Sequence, residues 1–125
     1  MSQSKSILKD KSFSFAIAIV KTYKNLVEEK REYVMSKQLL RSGTSVGANI
    51  REAKNAESTK DFIHKLGIAQ KECDETLYWL ELLKETEFLN DGIFFELSDQ
   101  ANQILKMIRS TILTIKQKNL KAHNS

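Results

Sequence analysis

A bundle of four α-helices is the fold class this sequence predicts, and three observations predict it. Proline is absent and glycine occurs only four times in 125 residues, so nothing breaks long helices and few tight turns are available. Apolar residues recur at steps of three and four over four separate stretches, which is the spacing of one helical face. Between those stretches the chain is short and polar, as connections between antiparallel neighbours are, so the expected topology is up-down-up-down. A chain of this length buries one core, and residues 1–125 are expected to form a single domain.

The first helix is expected over about 12–29. Phe13, Ala16, Ile17, Val20, Tyr23 and Val27 make its main stripe, and Phe15, Ile19 and Leu26 widen it until the helix is apolar over more than one face. A polar connection, Glu28 to Glu32, leads to a second helix over about 33–56, on which Met35, Leu39, Val46, Ile50 and Ala53 keep the period. Ser58-Thr-Lys-Asp61 has the spacing of a helix N-cap, with an acidic group suited to the positive end of the helix dipole. It should open a third helix over about 59–85. There Phe62, Leu66, Ala69, Cys73, Thr76, Leu80 and Leu83 alternate steps of four and three, the heptad seam of a bundle. Asn90-Asp-Gly92 reads as a turn, and a fourth helix follows over about 92–118 on Phe94, Leu97, Ala101, Ile104, Ile108, Ile112 and Ile115. Residues 119–125 are expected to fray.

The second helix holds the most unusual stretch, Arg41-Ser-Gly-Thr-Ser-Val-Gly-Ala-Asn-Ile-Arg-Glu52. Helical periodicity runs straight through residues that make poor helices, and two interior glycines alone cost about 2 kcal/mol relative to alanine. Gly43 and Gly47 stand one turn apart, so the expected compensation is a neighbouring helix packed unusually close. Arg41, Ser45, Asn49 and Glu52 follow at steps of four, four and three, within an arc of about 80°. They form a polar ladder beside the core. Exposed helical faces favour Lys, Glu and Gln, whereas Ser and Asn lose free energy there, so the ladder is expected to serve an interface or a buried network.

The net charge is +4, and its distribution is uneven. Residues 58–91 carry four basic and eight acidic side chains, while residues 1–35 carry seven and four. One acidic helix among basic ones suits either complementary subunits or a surface that attracts a polyanion. The longest apolar run, Phe15 to Val20, falls far short of the roughly 20 residues that cross a bilayer. One cysteine forms no intramolecular disulfide, and Met1 to Lys5 lack a secretory apolar segment, so a cytoplasmic protein with no membrane partner is expected.

Catalytic and metal chemistry find little support. Asp61 and His64 resemble half of a di-iron motif, but the only other histidine, His123, lies in the tail. Cys73 sits on the apolar seam without a nearby His or Arg in sequence, as a small buried residue does. Gly43-Thr-Ser-Val-Gly47 lacks the Gly-Lys-Ser/Thr ending of a phosphate loop. Tyr78 and Trp79 stand among leucines and are expected to pack within the bundle or between subunits. No catalytic residue, metal site or cofactor is expected, and the chain does not read as an enzyme.

Gln38 to Glu52, followed by Ser58 to Phe62 and Ala69 to Leu83, resembles the four-helix bundle proteins encoded in intervening sequences of 23S ribosomal RNA genes. The resemblance covers nearly the whole chain from Lys11. Its strongest part is the series Arg41, Ser45, Asn49 and Glu52, with a further acidic match at Glu75. It implies a left-handed antiparallel four-helix bundle that assembles into a homopentameric barrel with a central channel. A related protein, the accessory variability determinant of diversity-generating retroelements, is such a pentamer and engages nucleic acid and a reverse transcriptase through a basic surface. Two places depart from the family pattern: Ala53 follows Glu52 where many members have glycine, and Lys71-Glu72 stands where many have Gly-Ser.

Basic helices and this resemblance together make structured RNA or DNA, ribosomal RNA included, the first partner class. Lys11, Lys21, Lys24, Lys30, Arg31, Arg51 and Lys54 are the candidate phosphate contacts, of the kind that carry no sequence specificity. The other reading is a protein-interaction scaffold that docks a nucleic-acid-processing partner.

Overall fold

The computed structural model describes the backbone of residues 3–124 and the side chains of residues 7–122. It is all-α: α1 (Gln3–Glu28), α2 (Met35–Lys54), α3 (Thr59–Glu85) and α4 (Asp91–Asn124), with no strand among the described residues. Each helix packs on its neighbours in chain order, and α4 packs back on α1. Ile19 and Ser12 of α1 lie against Gly43 and Gly47 of α2. Ser42 and Glu52 of α2 meet Thr76 and Lys65 of α3, and the Cys73 thiol of α3 donates to the Ala101 carbonyl of α4.

The core draws on all four helices. Phe15, Ile19 and Leu26, Leu39 and Val46, Leu66, Leu80 and Leu83, and Ile104 and Ile108 are all essentially inaccessible to solvent. On α3 the buried residues are Leu66, Ala69, Cys73, Thr76, Leu80 and Leu83, the heptad seam of the sequence. On α1 the structure buries the other face from the one expected. Leu8, Ser12, Phe15, Ile19 and Leu26 point inward, while Phe13 and Ile17 remain 55% and 42% exposed. Periodicity cannot choose between two apolar faces of one helix. The glycines of α2 decide it, because they leave room for Ile19 and for the backbone at Ser12.

Two helices outrun their expected lengths. α1 begins at Gln3 rather than near Ser12, since no breaker precedes Ser12 and the buried Leu8 anchors the added turns. α4 continues through the segment expected to fray and ends at Asn124, carried by Leu120, Lys121 and Ala122, which hold helices well. Ser125 lies outside the described residues.

The connections are built from specific caps. Ser58 accepts from the Asp61 amide at 3.0 Å, and Asp61 in turn accepts from the Glu57 amide at 3.3 Å. Asn90 caps α4 by accepting from the Ile93 amide at 2.8 Å, so Asp91 and Gly92 belong to the helix rather than to a turn. The left-handed conformations fall on Arg31 and Glu87, not on glycine.

Before α2, the buried Glu32 carboxylate accepts from the amides of Val34, Met35 and Ser36 at 3.1, 3.0 and 2.7 Å. The Ser36 hydroxyl donates back to the Glu32 carbonyl at 2.7 Å. Burial alone would raise the Glu32 pKa, but the three amides outweigh it and hold the carboxyl below its ordinary range.

Candidate nucleic-acid interface and the polar cluster of α2 and α3

The polar ladder of α2 divides into three parts. Arg41 reaches α3, where its guanidinium bonds the Glu75 carboxylate and lies 3.3 and 3.4 Å from the two Glu72 oxygens. Its Nε donates to Gln38 at 3.3 Å. Glu75 also accepts from the Trp79 indole at 3.1 Å, and Tyr78 meets Trp79 edge-on with ring centroids 5.0 Å apart. The Trp79 bond lowers the Glu75 pKa most; burial opposes it with the next largest effect, and the Arg41 bond and charge then add to the lowering. Glu75 in turn raises that of Arg41.

Ser45 and Asn49 do not join this cluster. The Ser45 hydroxyl donates to the Arg41 carbonyl at 2.6 Å, and the Asn49 amide donates to the Ser45 carbonyl at 2.9 Å. Each thus bonds the backbone one turn earlier. Glu52 turns to Lys65, 3.1 Å away. Sequence reasoning missed Glu72 and Lys65, which come into reach only through the α2–α3 register. Beneath the cluster, the Ser42 and Thr76 hydroxyls lie 3.0 Å apart in the core, and Thr76 is 2.8 Å from the Glu72 carbonyl.

The glycine pair sits on the opposite side of α2. A Cβ on Gly43 would lie 2.8 Å from two carbons of Ile19, and one on Gly47 would lie 3.2 Å from the Ser12 carbonyl oxygen. The first obstacle is a side chain. The second is backbone and cannot rotate away.

The seven basic residues singled out from the sequence do not converge. Lys11, Arg51 and Lys54 lie where the first turns of α1 meet the last turns of α2. Lys11 donates to Gln103 of α4 at 3.0 Å, and Arg51 stacks 5.7 Å from the centre of the Phe13 ring. That ring and Arg51 line a groove of about 380 Å³ with Lys9, Ala16 and Gly47. Lys21 and Lys24 project from the far half of α1, and Lys30 and Arg31 lie in the connection beyond it, all exposed. Lys11 and Lys24 are separated by about 20 Å of helical rise along α1. Basic residues that sequence reasoning passed over gather instead on the last turns of α4: Lys116, Lys118 and Lys121, all exposed.

Other chemistry is sparse. His64 is exposed and Asp61 serves its cap. Among the described residues no three His, Cys, Asp or Glu are grouped to hold a metal ion. The Cys73 thiol is pushed up to about 12, first by burial and then by neighbouring Asp74, so it stays protonated. Among the described residues no helix is long and apolar enough to cross a membrane.

Residues 4–110 match the model of the 23S rRNA-intervening sequence protein family. The chain belongs to that family. A solved relative is a protein of unknown function from the S23 ribosomal protein family of Bacteroides thetaiotaomicron. It is 52% identical, with a TM-score of 0.87, and the match covers 88% of this chain and 98% of that one. No curated protein matches the chain. In this intervening-sequence protein the matched region stops within α4, so Lys116, Lys118 and Lys121 lie beyond it.

Proposed function

We propose that this protein is a non-enzymatic, cytoplasmic nucleic-acid-binding oligomer, made of left-handed, antiparallel up-down-up-down bundles that assemble into a homopentameric barrel. The contact registers of the first three helices support the topology: Ser12 and Ile19 of α1 meet Gly47 and Gly43 of α2, and Ser42 and Glu52 of α2 meet Thr76 and Lys65 of α3, so residue numbers fall on one helix as they rise on the next. The exposed Phe13 and Ile17 on α1 support assembly, because a second copy would bury them. The observation that carries the nucleic-acid reading is the state of the positive charge. None of Lys11, Lys21, Lys24, Lys30, Arg31, Arg51 and Lys54 lies within 4.0 Å of a carboxylate among the described residues, so this charge is available to phosphates.

The test is fluorescence anisotropy of the purified protein with a 23S ribosomal RNA fragment, an unrelated structured RNA and a DNA duplex, each over a salt series. Binding that weakens along a log–log salt line is expected for all three. Absence of binding at low salt removes the reading. Light scattering on the same sample tests the pentamer, and Ile17→Asp is expected to dissociate it.

A scaffold reading is favoured by a second observation. Tyr33, Val34 and Phe95 are 56%, 75% and 73% exposed, more apolar surface than a solvated helix end needs. Capture of a protein partner from nuclease-treated lysate, with no nucleic acid bound by the pure protein, would put the scaffold first.

A further inference from the structure

Charge in this molecule is sorted by position along the bundle, a pattern that charge per helix conceals. The contacts Ile19 with Gly43, Ser42 with Thr76, and Cys73 with Ala101 mark a level across all four helices. On the side of that level where α2 turns into α3, residues 7–17, 44–73 and 103–122 carry twelve basic and five acidic side chains. On the other side, residues 18–43 and 74–102 carry seven basic and eleven acidic. The two ends therefore have opposite sign.

The basic end is steepest on α4. Asp99 is the last acidic residue of the chain, and Lys106, Arg109, Lys116, Lys118 and Lys121 follow it. Among the described residues the last buried one of α4 is Ile108, so its final turns carry their lysines past the core. Among the described residues only Arg109 of the five approaches a carboxylate, Asp74 at 4.0 Å. Lys118 also lines a groove of about 380 Å³ with Lys54, Ser58, Phe62 and Ile115. The α4 lysines and the end of α2 thus face a common surface.

Resting on the nucleic-acid reading above, we infer that the phosphate-binding surface is this end of the bundle, with Lys116, Lys118 and Lys121 of α4 joined by Lys54, Arg51 and Lys11. Lys21, Lys24, Lys30 and Arg31 lie at the acidic end. Glu28, Glu29, Glu85, Glu87 and Asp91 lie at the same end, so a polyanion is drawn there less strongly than to the basic end. A phosphodiester backbone suits the basic end better than an anionic bilayer does. Lys116 falls between Ile112 and the exposed Leu113 and Leu120 around the helix at about 100° per residue. No unbroken apolar arc is left to enter a membrane.

The experiment compares two full-length variants that lose equal charge, Lys116→Gln/Lys118→Gln/Lys121→Gln and Lys21→Gln/Lys24→Gln/Lys30→Gln. Each is titrated by anisotropy against a 20-base-pair DNA duplex and an RNA hairpin over a salt series, after circular dichroism has confirmed helix content. The α4 variant is expected to weaken binding at least tenfold at low salt and to flatten the salt slope by about two to three units, while the α1 variant changes it little. Equal losses, or a larger loss in the α1 variant, overturn the inference and leave the nucleic-acid reading standing. No binding by the unaltered protein overturns both. An α4 variant that loses binding only to phosphatidylserine vesicles assigns the surface to membrane and likewise overturns the inference.

Discussion

The two sides of α2 solve the same problem, holding a neighbouring helix, by opposite means. Toward α1 the side chains disappear: a Cβ on Gly43 would lie closer to Ile19 than Cβ atoms come, and one on Gly47 would press on the Ser12 backbone at 3.2 Å. Toward α3 the side chains are polar and matched: Ser42 with Thr76, Arg41 with Glu72 and Glu75, and Glu52 with Lys65. The first contact depends on shape and tolerates no added volume. The second depends on register, because each group finds its partner only when the helices are aligned along their length. One helix thereby carries a steric contact and a registering contact back to back, which explains why its middle is so poor in ordinary helix formers.

The sharpest way to break the comparison is Gly47→Leu. The obstacle is a backbone carbonyl, so relief requires moving α1 itself, and a loss of about 3 kcal/mol is expected in chemical denaturation. Gly43→Leu should cost a comparable amount, because a Cβ there lies 2.8 Å from both γ-carbons of the buried, β-branched Ile19 and no staggered rotamer clears both. A near-neutral Gly43→Leu would show that α1 shifts as a body. Thr76→Val keeps the volume and removes the hydroxyl beside Ser42. A loss of about 1 to 2 kcal/mol is expected by the same measurement, and an unchanged midpoint would mean that the Leu39 carbonyl, 3.4 Å from Ser42, suffices.

Arg41→Ala is expected to have the smallest effect on the folded chain, under about 1 kcal/mol, because the pair is solvent-screened. Its larger effect should be on assembly, read as a shift to smaller species in light scattering. The pH dependence has a definite sign. The Glu75 pKa is depressed in the folded state, so its contribution is present above the ordinary carboxylate range and fades as pH falls through the depressed value. Denaturation midpoints of the Arg41→Ala variant should therefore fall less steeply on acidification than those of the unaltered protein.

How much of this was legible in the sequence depended on whether an element has one apolar face or two. α3 has one, and Leu66 through Leu83 read correctly as its seam. α1 has two, and only the glycines across from it, in space rather than in sequence, decide which turns inward. The Arg41 cluster was half legible: the family match pointed to Glu75, while Glu72 and Trp79 join through register and the rotamers of long side chains. Ser45 and Asn49 shared the spacing of Arg41 but spend their hydrogen bonds on the backbone, an alternative open to any short polar side chain on a helix. The α4 lysines escaped notice for two reasons: Lys121 fell in the segment expected to fray, and Lys116 and Lys118, inside the expected fourth helix, join the end of α2 only through the packing of the bundle.

The carboxylate of Glu32 has a consequence for how the molecule opens. The first amides of a helix have no acceptor within it and normally exchange their hydrogens with solvent freely. Here the amides of Val34, Met35 and Ser36 are tied to one buried side chain, so their exchange waits on disruption of the whole connection. Hydrogen exchange at these three amides is therefore expected to be slower than at the uncapped start of an ordinary helix, and Glu32→Gln is expected to speed it.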